Sequence, residues 1–252
     1  MVDGSICVAN GKSQMVIKLV VAGAAGRMGS AIINLASRDK ELQVIYGLES
    51  LAEKNQKSPH CPIGPDTSQI QKADVVINFA TAVGTMVGLR PIMTKYPKPW
   101  VIGTTGFDEN QEATIREISK TIPIVKSSNM SMGVNVFFKV AQEIAKALPN
   151  YDVHIWEAHH EHKKDKPSGT ALQAGKLIEQ VSKRKVIYDE PKREGEIVGD
   201  HRIVFSSPTD KLELFHHAET RDIFALGALQ AAKWIVNQKP GLYTMQDVLG
   251  LR

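Results

Sequence analysis

The strongest constraint on the fold is a strand-length apolar run that ends in a glycine-rich turn. Val16–Ala22 is rich in β-branched residues, and Gly23–Gly29 (GAAGRMG) follows it directly. Apolar residues between Ile32 and Ala36 then recur at helical spacing. A strand, a glycine turn and a helix in this order are typical of the first βα unit of a nucleotide-binding α/β fold.

The same alternation of strands and helices continues through the N-terminal half. Apolar runs predict further strands at Leu42–Leu48, Asp74–Phe79, Trp100–Ile102 and Ile122–Val125. Helix-like segments lie between them, around Val83–Met93 and Glu109–Ser119. Strands that alternate with helices predict a Rossmann-like, doubly wound parallel sheet.

The pattern changes near Ser127 and predicts a second, α+β domain. Two close strand candidates near its end indicate an open sheet of mixed or antiparallel strands. The predicted elements here are helices Val134–Leu148 and Pro167–Ser182 and strands Asp152–Trp156, Arg202–Phe205 and Leu212–His216. A last helix, Phe224–Val236, is expected to return to the first domain. The predicted units are a flexible tail (1–15), a dinucleotide-binding domain (16–129 plus 217–252) and a substrate-binding and oligomerisation domain (130–216).

Composition limits the kinds of partner. The net charge is +4, yet the lysines and arginines are scattered and aromatics make up only 6%, so no nucleic-acid partner is expected. No stretch approaches the roughly 20 apolar residues that cross a bilayer, so no membrane partner is expected. The start of the chain lacks the basic and apolar regions of a secretory signal. Two cysteines, Cys7 and Cys61, make no disulfide framework, which favours a reducing cytoplasm.

The glycine turn predicts a cofactor site. Glycine permits a tight turn and lets backbone N–H groups approach a pyrophosphate at the positive end of the helix. The spacing is G-x-x-G-x-x-G, with Ala25 at the middle glycine position, so a purely structural turn is the alternative. The predicted cofactor-binding residues of the turn are Gly23, Ala24, Ala25, Gly26, Arg27 and Met28.

Glu49 adds to the case for a dinucleotide. It follows the second strand, 20 residues after Gly29, where a carboxylate accepts hydrogen bonds from the adenosine ribose. The alternative is a solvated loop glutamate. Ser50 leaves no basic side chain at this point for a 2′-phosphate, although Arg27 is within reach of one. The cofactor is therefore expected to be NADH or NADPH, with NADH slightly favoured.

Two strand ends carry small polar residues that should line the nicotinamide side of the crevice, and a third marks a cleft and hinge between the domains. Ligands of open α/β sheets lie outside the carboxyl ends of the strands. These ends are Asn78–Thr81, Gly103–Gly106 and Ser127–Met130, the last at the apparent domain junction. The further predicted cofactor-binding residues are Gly103, Thr104, Thr105, Ser127, Ser128, Asn129 and Met130.

Glu157–Thr170 (EAHHEHKKDKPSGT) is the segment richest in chemistry, with three histidines and three lysines within ten residues. A solvated charged loop is one interpretation, and a metal site built from its histidines and acids is another. A strand would point His159 and His160 to opposite sides, which weakens the metal interpretation. The third is an anion-binding catalytic loop, in which Ser168 caps a helix and free amides face a carboxylate. The residues alone leave all three open.

Several motifs together resemble the 4-hydroxy-tetrahydrodipicolinate reductase family, long called dihydrodipicolinate reductase. The H-H-x-x-K-x-D-x-P-S-G-T string is highly specific to that family. The motifs are Gly23–Gly29, Gly103–Gly106, Asn129–Val136 (NMSMGVNV), Glu157–Ala171, Gly199–His201, His217–Arg221 (HAETR), Phe224–Ala232 (FALGALQAA) and Gly241–Leu249 (GLYTMQDVL). They run from about residue 16 to the C-terminus in the family's order.

The resemblance implies a two-domain homotetramer that reduces a small ring dicarboxylate in the diaminopimelate–lysine pathway. By motif position, His159 is the proton donor and Lys163 its acid or electrostatic partner. His160 and the amides of Gly169 and Thr170 hold a substrate carboxylate, and no metal is required. Departures from the family pattern are Ser50, Met130, Lys166 and a short stretch between Tyr188 and Gly199.

Other functions remain as alternatives at this point. One is another two-domain nicotinamide oxidoreductase, such as a sugar or amino-acid dehydrogenase. A semialdehyde dehydrogenase needs a cysteine nucleophile in the second domain, and none occurs after Cys61. A redox-sensing regulator needs neither His159 nor Lys163, so the presence of both favours an enzyme.

Overall fold

The structure, a computed structural model, describes residues 16–50 and 58–251. The tail predicted at 1–15 lies outside the described residues. The helices and strands are β1 Ile17–Ala22, α1 Arg27–Ala36, β2 Leu42–Leu48, β3 Ile63–Gly64, β4 Val75–Asn78, α2 Arg90–Lys95, β5 Trp100–Ile102, α3 Glu109–Ser119, β6 Pro123–Lys126, α4 Met132–Ala147, β7 Asp152–His159, α5 Gly169–Ser182, β8 Ile187–Tyr188, β9 Lys192–Arg193, β10 Asp200–Ser206, β11 Lys211–His217, α6 Asp222–Ile235, β12 Gly241–Tyr243 and α7 Met245–Val248.

The first sheet has seven strands in the order β12-β6-β5-β4-β1-β2-β3, and every pairing between neighbours is parallel. Its apolar strands supply two cores. Leu19 and Val21 of β1 face the layer that contains α1 and α6, while Val20 and Ala22 face the layer with α2 and α3. Strands covered on both faces read as continuous apolar runs. The predicted Rossmann-like parallel sheet is confirmed.

The second sheet is mixed, as predicted. Its order is β11-β10-β7-β8, with β9 also paired to β7. β10 is antiparallel to both β7 and β11, whereas β8 and β9 run parallel to β7. One face packs on α4 and α5 through a core that includes Phe138, Ile178 and Phe205. The opposite face of this sheet carries Trp156 and Phe215.

Two predicted elements have different limits in the structure. β7 extends to His159 instead of ending at Trp156, because Ala158 pairs with both β9 and β10 and His159 pairs with β9. The helix predicted at 83–93 is a π-helical turn, Gly84–Leu89, followed by α2. Pro91 has no N–H group, so a regular α-helical ladder cannot continue across it.

The C-terminal part of the chain returns to the first sheet. β12 pairs with β6, and Ala228, Leu229 and Met245 join the core beside α1. The division into 16–129 plus 217–252 and 130–216 stays a prediction. Across the described residues, every helix is too short or too polar to traverse a bilayer.

Candidate active site

The glycine turn packs the start of α1 closely against the end of β1. Gly23 has a φ of 75°, and a Cβ there would lie 2.8 Å from the nitrogen of Ala80. A Cβ on Gly29 would lie 2.2 Å from the carbonyl oxygen of Gly23. Gly26 caps the helix without a side chain, so its first N–H groups remain available to an anion. The turn therefore fits a pyrophosphate.

The Glu49 carboxylate folds back onto this turn. Its Oε2 accepts a hydrogen bond of 3.0 Å from the backbone nitrogen of Ala25, and its Oε1 accepts one of 3.0 Å from that of Ser50. Glu49, Gly23 and Gly26 line one cavity of about 550 Å³. Among the described residues that line it there is no lysine or arginine, and Arg27 borders other cavities. Glu49 thus lies beside the glycine turn, next to the predicted pyrophosphate site.

The other strand ends meet in a second cavity of about 480 Å³, the nicotinamide-side cavity. Thr104 ties two of these strand ends together, because its Oγ1 donates to the carbonyl of Ala80 over 2.9 Å. Four predicted cofactor residues line neither this cavity nor the Glu49 cavity. Arg27 borders other cavities, Ala24 is buried, the nitrogen of Ala25 donates to Glu49, and the Ser127 hydroxyl donates to the carbonyl of Asn129. The predicted cofactor residues that line this cavity are Met28, Gly103, Thr104, Thr105, Ser128, Asn129 and Met130.

A third and larger cavity, of about 780 Å³, holds the predicted substrate and catalytic residues. We call it the substrate-side cavity. It is lined by His159, His160, Lys163, Gly169 and Thr170, together with Arg27, Asp165, Arg221 and other residues. Met28, Thr105, Ser128, Asn129 and Phe224 line both this cavity and the nicotinamide-side cavity. The two cavities therefore adjoin along a shared wall.

His159 is held by a buried carboxylate. Its Nδ1 lies 2.5 Å from Oε2 of Glu157, which is 2% exposed. Glu157 also accepts from the backbone nitrogen of Ser168 at 3.0 Å and from both terminal nitrogens of Arg193, at 2.7 and 2.9 Å. Burial would raise the pKa of Glu157, but the bonds from Arg193 and His159 hold that pKa below its usual value. The carboxylate is therefore ionised.

Opposing influences set the pKa of His159. Burial lowers the pKa, the Glu157 carboxylate raises it, and the Lys163 and Arg193 cations lower it. The net pKa lies below the ordinary histidine value. In this state His159 is largely neutral at neutral pH, and Nδ1–H donates to Glu157.

The start of α5 presents free backbone donors to the substrate-side cavity. Ser168 caps the helix, as predicted, by accepting from the nitrogen of Ala171 at 3.2 Å. The space around Gly169 is open, since a Cβ there would meet no atom within 4 Å. Burial lowers the pKa of His201 to about 3, so the ring is neutral, and its Nε2 shares a hydrogen bond of 3.1 Å with the Ser168 hydroxyl. An anion fits at this helix end.

The predicted loop residues have hydrogen-bond and ion-pair partners of their own. Lys163 forms an ion pair with Asp165 at 2.8 Å and also acts on the pKa of His159 through its charge. His160 accepts a hydrogen bond of 3.0 Å from Arg221. The three histidines of the segment also point to separate partners, and no group of His, Cys, Asp or Glu in the described chain is arranged to hold a metal ion.

Three residues at the site, Arg193, Arg221 and Phe224, were not predicted to belong to it, and the role of a fourth, Glu157, was not predicted. Glu157 was weighed only as a metal ligand, although its position two residues before His159 on a strand puts both on one face. Arg193, Arg221 and Phe224 lie in or beside the quoted motifs, but nothing in their spacing indicates which side chain they meet.

Comparison with known proteins gives matches along nearly the whole chain. The family model "Dihydrodipicolinate reductase, N-terminus" matches residues 17–130, and "Dihydrodipicolinate reductase, C-terminus" matches residues 133–249. The 4-hydroxy-tetrahydrodipicolinate reductase of Aquifex aeolicus is 39% identical over 270 residues, covering 94% of this chain and 100% of its own. That of Methanosarcina barkeri is 40% identical over 263 residues, with 93% and 100% covered.

A solved structure shares the fold. A dipicolinate-bound dihydrodipicolinate reductase from Paenisporosarcina sp. TG-14 superimposes with a TM-score of 0.79 at 20% identity, covering 92% of this chain and 99% of its own. The family models and the relatives together decide which protein family the chain belongs to. The chain belongs to the dihydrodipicolinate reductase family.

Proposed function

We propose that this enzyme reduces the cyclic dehydration product of 4-hydroxy-tetrahydrodipicolinate to tetrahydrodipicolinate, in the diaminopimelate–lysine pathway. The observation that carries the proposal is the wall shared by the nicotinamide-side and substrate-side cavities. A ring bound in the second cavity lies beside a nicotinamide bound in the first. His159 lines the substrate side of that wall, where a ring that gains a hydride also needs a proton.

The cofactor is held by the carboxyl end of the first sheet. The amides at the start of α1 take the pyrophosphate, Glu49 takes the adenosine ribose, and Thr104, Thr105 and Asn129 border the nicotinamide. When bound, the reduced nicotinamide supplies a hydride. Ala25 and Ser127 support this arrangement through their hydrogen bonds to Glu49 and Asn129.

The substrate is a dicarboxylate, and the substrate-side cavity offers matching charges. The open amides of Gly169 and Thr170 at the start of α5 receive one carboxylate. His160, Lys163 and Arg221 line the same cavity and add donors or positive charge. The solved relative from Paenisporosarcina is described as dipicolinate-bound, and dipicolinate is a planar ring dicarboxylate of the expected kind.

His159 supplies the proton. Without ligand its pKa is lowered by burial and by neighbouring cations. A bound dianion opposes those cations and favours the protonated ring, so the acid forms where the substrate lies. Lys163 acts as the electrostatic partner of His159, because its charge lowers the pKa of that histidine. An ion pair with Asp165 holds Lys163 in position.

NADH is the preferred nucleotide in this proposal. The described lining of the Glu49 cavity carries a carboxylate and no basic side chain, so a 2′-phosphate would meet like charge there. Parallel steady-state kinetics with NADH and NADPH test this preference. A higher kcat/KM with NADPH would overturn it.

The outer face of the second sheet packs against further copies of the chain to give a homotetramer. Arg202 pairs in register with Trp156 on one side and Phe215 on the other, and Phe215 is 58% exposed. The buried Nε of Arg202 has no partner within the described chain. Light scattering should give a tetramer for the native chain and smaller species for Phe215→Asp, with Leu226→Asp on α6 as the control. A monomeric native chain would remove this part of the proposal.

The reaction is tested by the loss of nicotinamide absorbance with freshly made synthase product as substrate. His159→Ala should lower kcat by about 100-fold or more, since general acid catalysis contributes on that scale. His162→Ala is the control, because His162 lies in the same loop but is largely exposed. Thr170→Val and Lys163→Ala should weaken binding of a pyridine dicarboxylate. No turnover with either nucleotide would sink the proposed reaction.

The enzyme is placed in the cytoplasm. Cys61 is buried and unpaired, and a structural thiol of this kind persists under reducing conditions.

A further inference from the structure

His159 is linked to two buried charged residues, Glu157 and Arg193, which are not among the residues that line the substrate-side cavity. Arg193 donates to both oxygens of Glu157, at 2.7 and 2.9 Å, and Oε2 of Glu157 lies 2.5 Å from Nδ1 of His159. The side chains of Arg193 and Glu157 are only 8% and 2% exposed. This guanidinium–carboxylate–imidazole chain has a more restrictive geometry than a surface ion pair.

We propose that Glu157, anchored by Arg193, is the positioning residue for His159, fixing Nδ1–H towards the protein and leaving Nε2 as the nitrogen that delivers the proton. This assignment rests on the proposed reductase function for its catalytic consequence. The geometry of the three residues stands without it.

The direction of the hydrogen bond follows from the charge state of Glu157. An ionised carboxylate only accepts hydrogen bonds, so the nitrogen of His159 that faces it must carry a proton. Glu157 stays ionised because Arg193, a cation at every relevant pH, is bound to both of its oxygens. Neutral His159 is therefore the Nδ1–H tautomer, and its second proton enters and leaves at Nε2.

Gly199 lies beside Nε2 of His159 and leaves room next to it. A Cβ on Gly199 would lie 3.0 Å from Nε2, so the glycine leaves space that any other residue would fill. The ring of His201 meets that of His159 edge-on, with centroids 5.1 Å apart, and limits ring rotation from another side. His201 is neutral, because burial lowers its pKa to about 3, and it brings no competing charge.

The same guanidinium shapes the loop that carries the substrate-binding residues. Arg193 donates to the carbonyl of Asp165 at 2.7 Å and to that of Lys163 at 3.3 Å. Glu157 accepts from the nitrogen of Ser168, the cap of α5. One buried ion pair thus orients the proton donor and fixes the start of the helix that faces the carboxylate.

In the proton transfer, the Nε2–H bond of protonated His159 breaks and its proton passes to the ring carbon, which has gained electron density with the hydride. The histidine becomes neutral and keeps Nδ1–H on Glu157. Nε2 then regains a proton from water after the product leaves. Glu157 remains an anion throughout, since its charge is balanced by Arg193.

The test is Glu157→Gln, which keeps the shape of the side chain and removes its charge. Loss of the carboxylate lowers the pKa of His159, so the alkaline limb of the kcat–pH profile should move to lower pH by roughly one unit or more. At neutral pH kcat should fall by about 10-fold or more. Asp189→Asn is the matched control, because it removes the carboxylate 2.9 Å from His154, outside the site, and should leave the limb in place.

A spectroscopic measurement separates this inference from the proposed reaction. With ¹⁵N-labelled histidine and assignment by His159→Gln, the ¹⁵N shifts of His159 in the native chain should show protonated Nδ1. The pH midpoint of the His159 titration, followed by the same shifts, should be lower in Glu157→Gln than in the native chain. If these shifts appear but the native chain lacks reductase activity, the positioning role of Glu157 is supported and the proposed reaction is wrong. If the shifts show protonated Nε2, or the midpoint does not change, the positioning is wrong.

A second variant covers the case in which Glu157→Gln does not fold with Arg193 left unpaired. Glu157→Gln combined with Arg193→Gln removes both buried charges together, which avoids an uncompensated cation. Circular dichroism checks its fold. The alkaline limb and the His159 midpoint should again lie below the native values, and unchanged values in a folded double variant would overturn the proposal.

Discussion

Arg221, the residue that precedes α6, donates through Nη2 to Nε2 of His160 over 3.0 Å. Arginine only donates hydrogen bonds, so Nε2 of His160 is the acceptor in this bond. The two residues come from opposite ends of the chain segment that forms the second sheet, and both line the substrate-side cavity. A carboxylate that enters this cavity therefore meets a guanidinium whose side-chain partner is a histidine ring and not another carboxylate.

Arg221→Met should accordingly raise the KM for the ring substrate by roughly 10- to 100-fold, the scale of a lost hydrogen bond to a charged group. Steady-state kinetics at saturating NADH measure it. Arg184→Met serves as the control, because Arg184 is exposed and contacts Asp152 at the far end of the sheet. An unchanged KM in Arg221→Met would show that the substrate carboxylates bind elsewhere.

Glu49→Gln should reduce the discrimination between the two nucleotides. A neutral amide accepts a weaker bond from the ribose hydroxyls, so the Kd for NADH should rise by about 5- to 10-fold. The Kd for NADPH should change less or fall, since like charge near the 2′-phosphate is removed. Calorimetric titration gives both constants, with Glu117→Gln on α3 as the control. Equal changes for both nucleotides would contradict a ribose contact.

Gly29→Ala should destabilise the protein and weaken cofactor binding. Its new Cβ would lie 2.2 Å from the carbonyl oxygen of Gly23, a backbone atom that cannot swing aside. Overpacking of this kind costs about 1–3 kcal/mol, which lowers Tm by roughly 3–10 °C in a chain of this size.

Gly88→Ala is the matched control for that experiment. Gly88 borders the Glu49 cavity, yet a Cβ there would meet no atom within 4 Å. Its Tm should stay the same or rise slightly, because alanine restricts the unfolded chain more than glycine does. Equal losses in both variants would mean that the close approach of Gly29 to Gly23 is not what limits the turn.

His201 should make the protein sensitive to acid. Its pKa falls from 6.5 to about 3 on folding, chiefly because it is buried. A lowered folded-state pKa contributes stability above the unfolded value and loses it as the pH falls. Between pH 7 and 5 the free energy of unfolding should drop by about 2 kcal/mol from this residue alone. Urea titrations should show a smaller drop in His201→Gln, and an equal drop would rule out His201 as its source.

The parts of the fold that sequence predicts well are those with long local patterns. The predicted limits lie within two residues of the observed ones for β1, β2 and the long helices α4, α5 and α6. The strands are buried on both faces and read as continuous apolar runs, whereas each helix is buried on one face and shows apolar residues at helical spacing. β3, β8, β9 and β12 have only two or three residues each. Such short strands are defined by backbone hydrogen bonds to neighbouring strands. Two or three residues are too few to show a hydrophobic periodicity, so the sequence does not predict them.

The same distinction applies to the site. The glycine turn and the Ser168 cap depend on residues close in sequence, so their local roles were predictable. The bond between Arg193 and Glu157 joins residues 36 positions apart, and that between Arg221 and His160 joins residues 61 apart. Both bonds depend on how the strands pair and on where the chain runs after the second sheet, which a single sequence does not reveal.

The wall shared by the two cavities has a thermodynamic consequence. Both cavities are lined by Thr105, Asn129 and Phe224. A movement of these side chains that improves their contacts with a ligand in one cavity would therefore change the binding free energy of a ligand in the other. We therefore expect the affinities of nucleotide and dicarboxylate to be linked. Linkage is reciprocal, so each ligand would alter the dissociation constant of the other by the same factor. Thr105, Asn129 and Phe224 would carry this coupling between the two ligands.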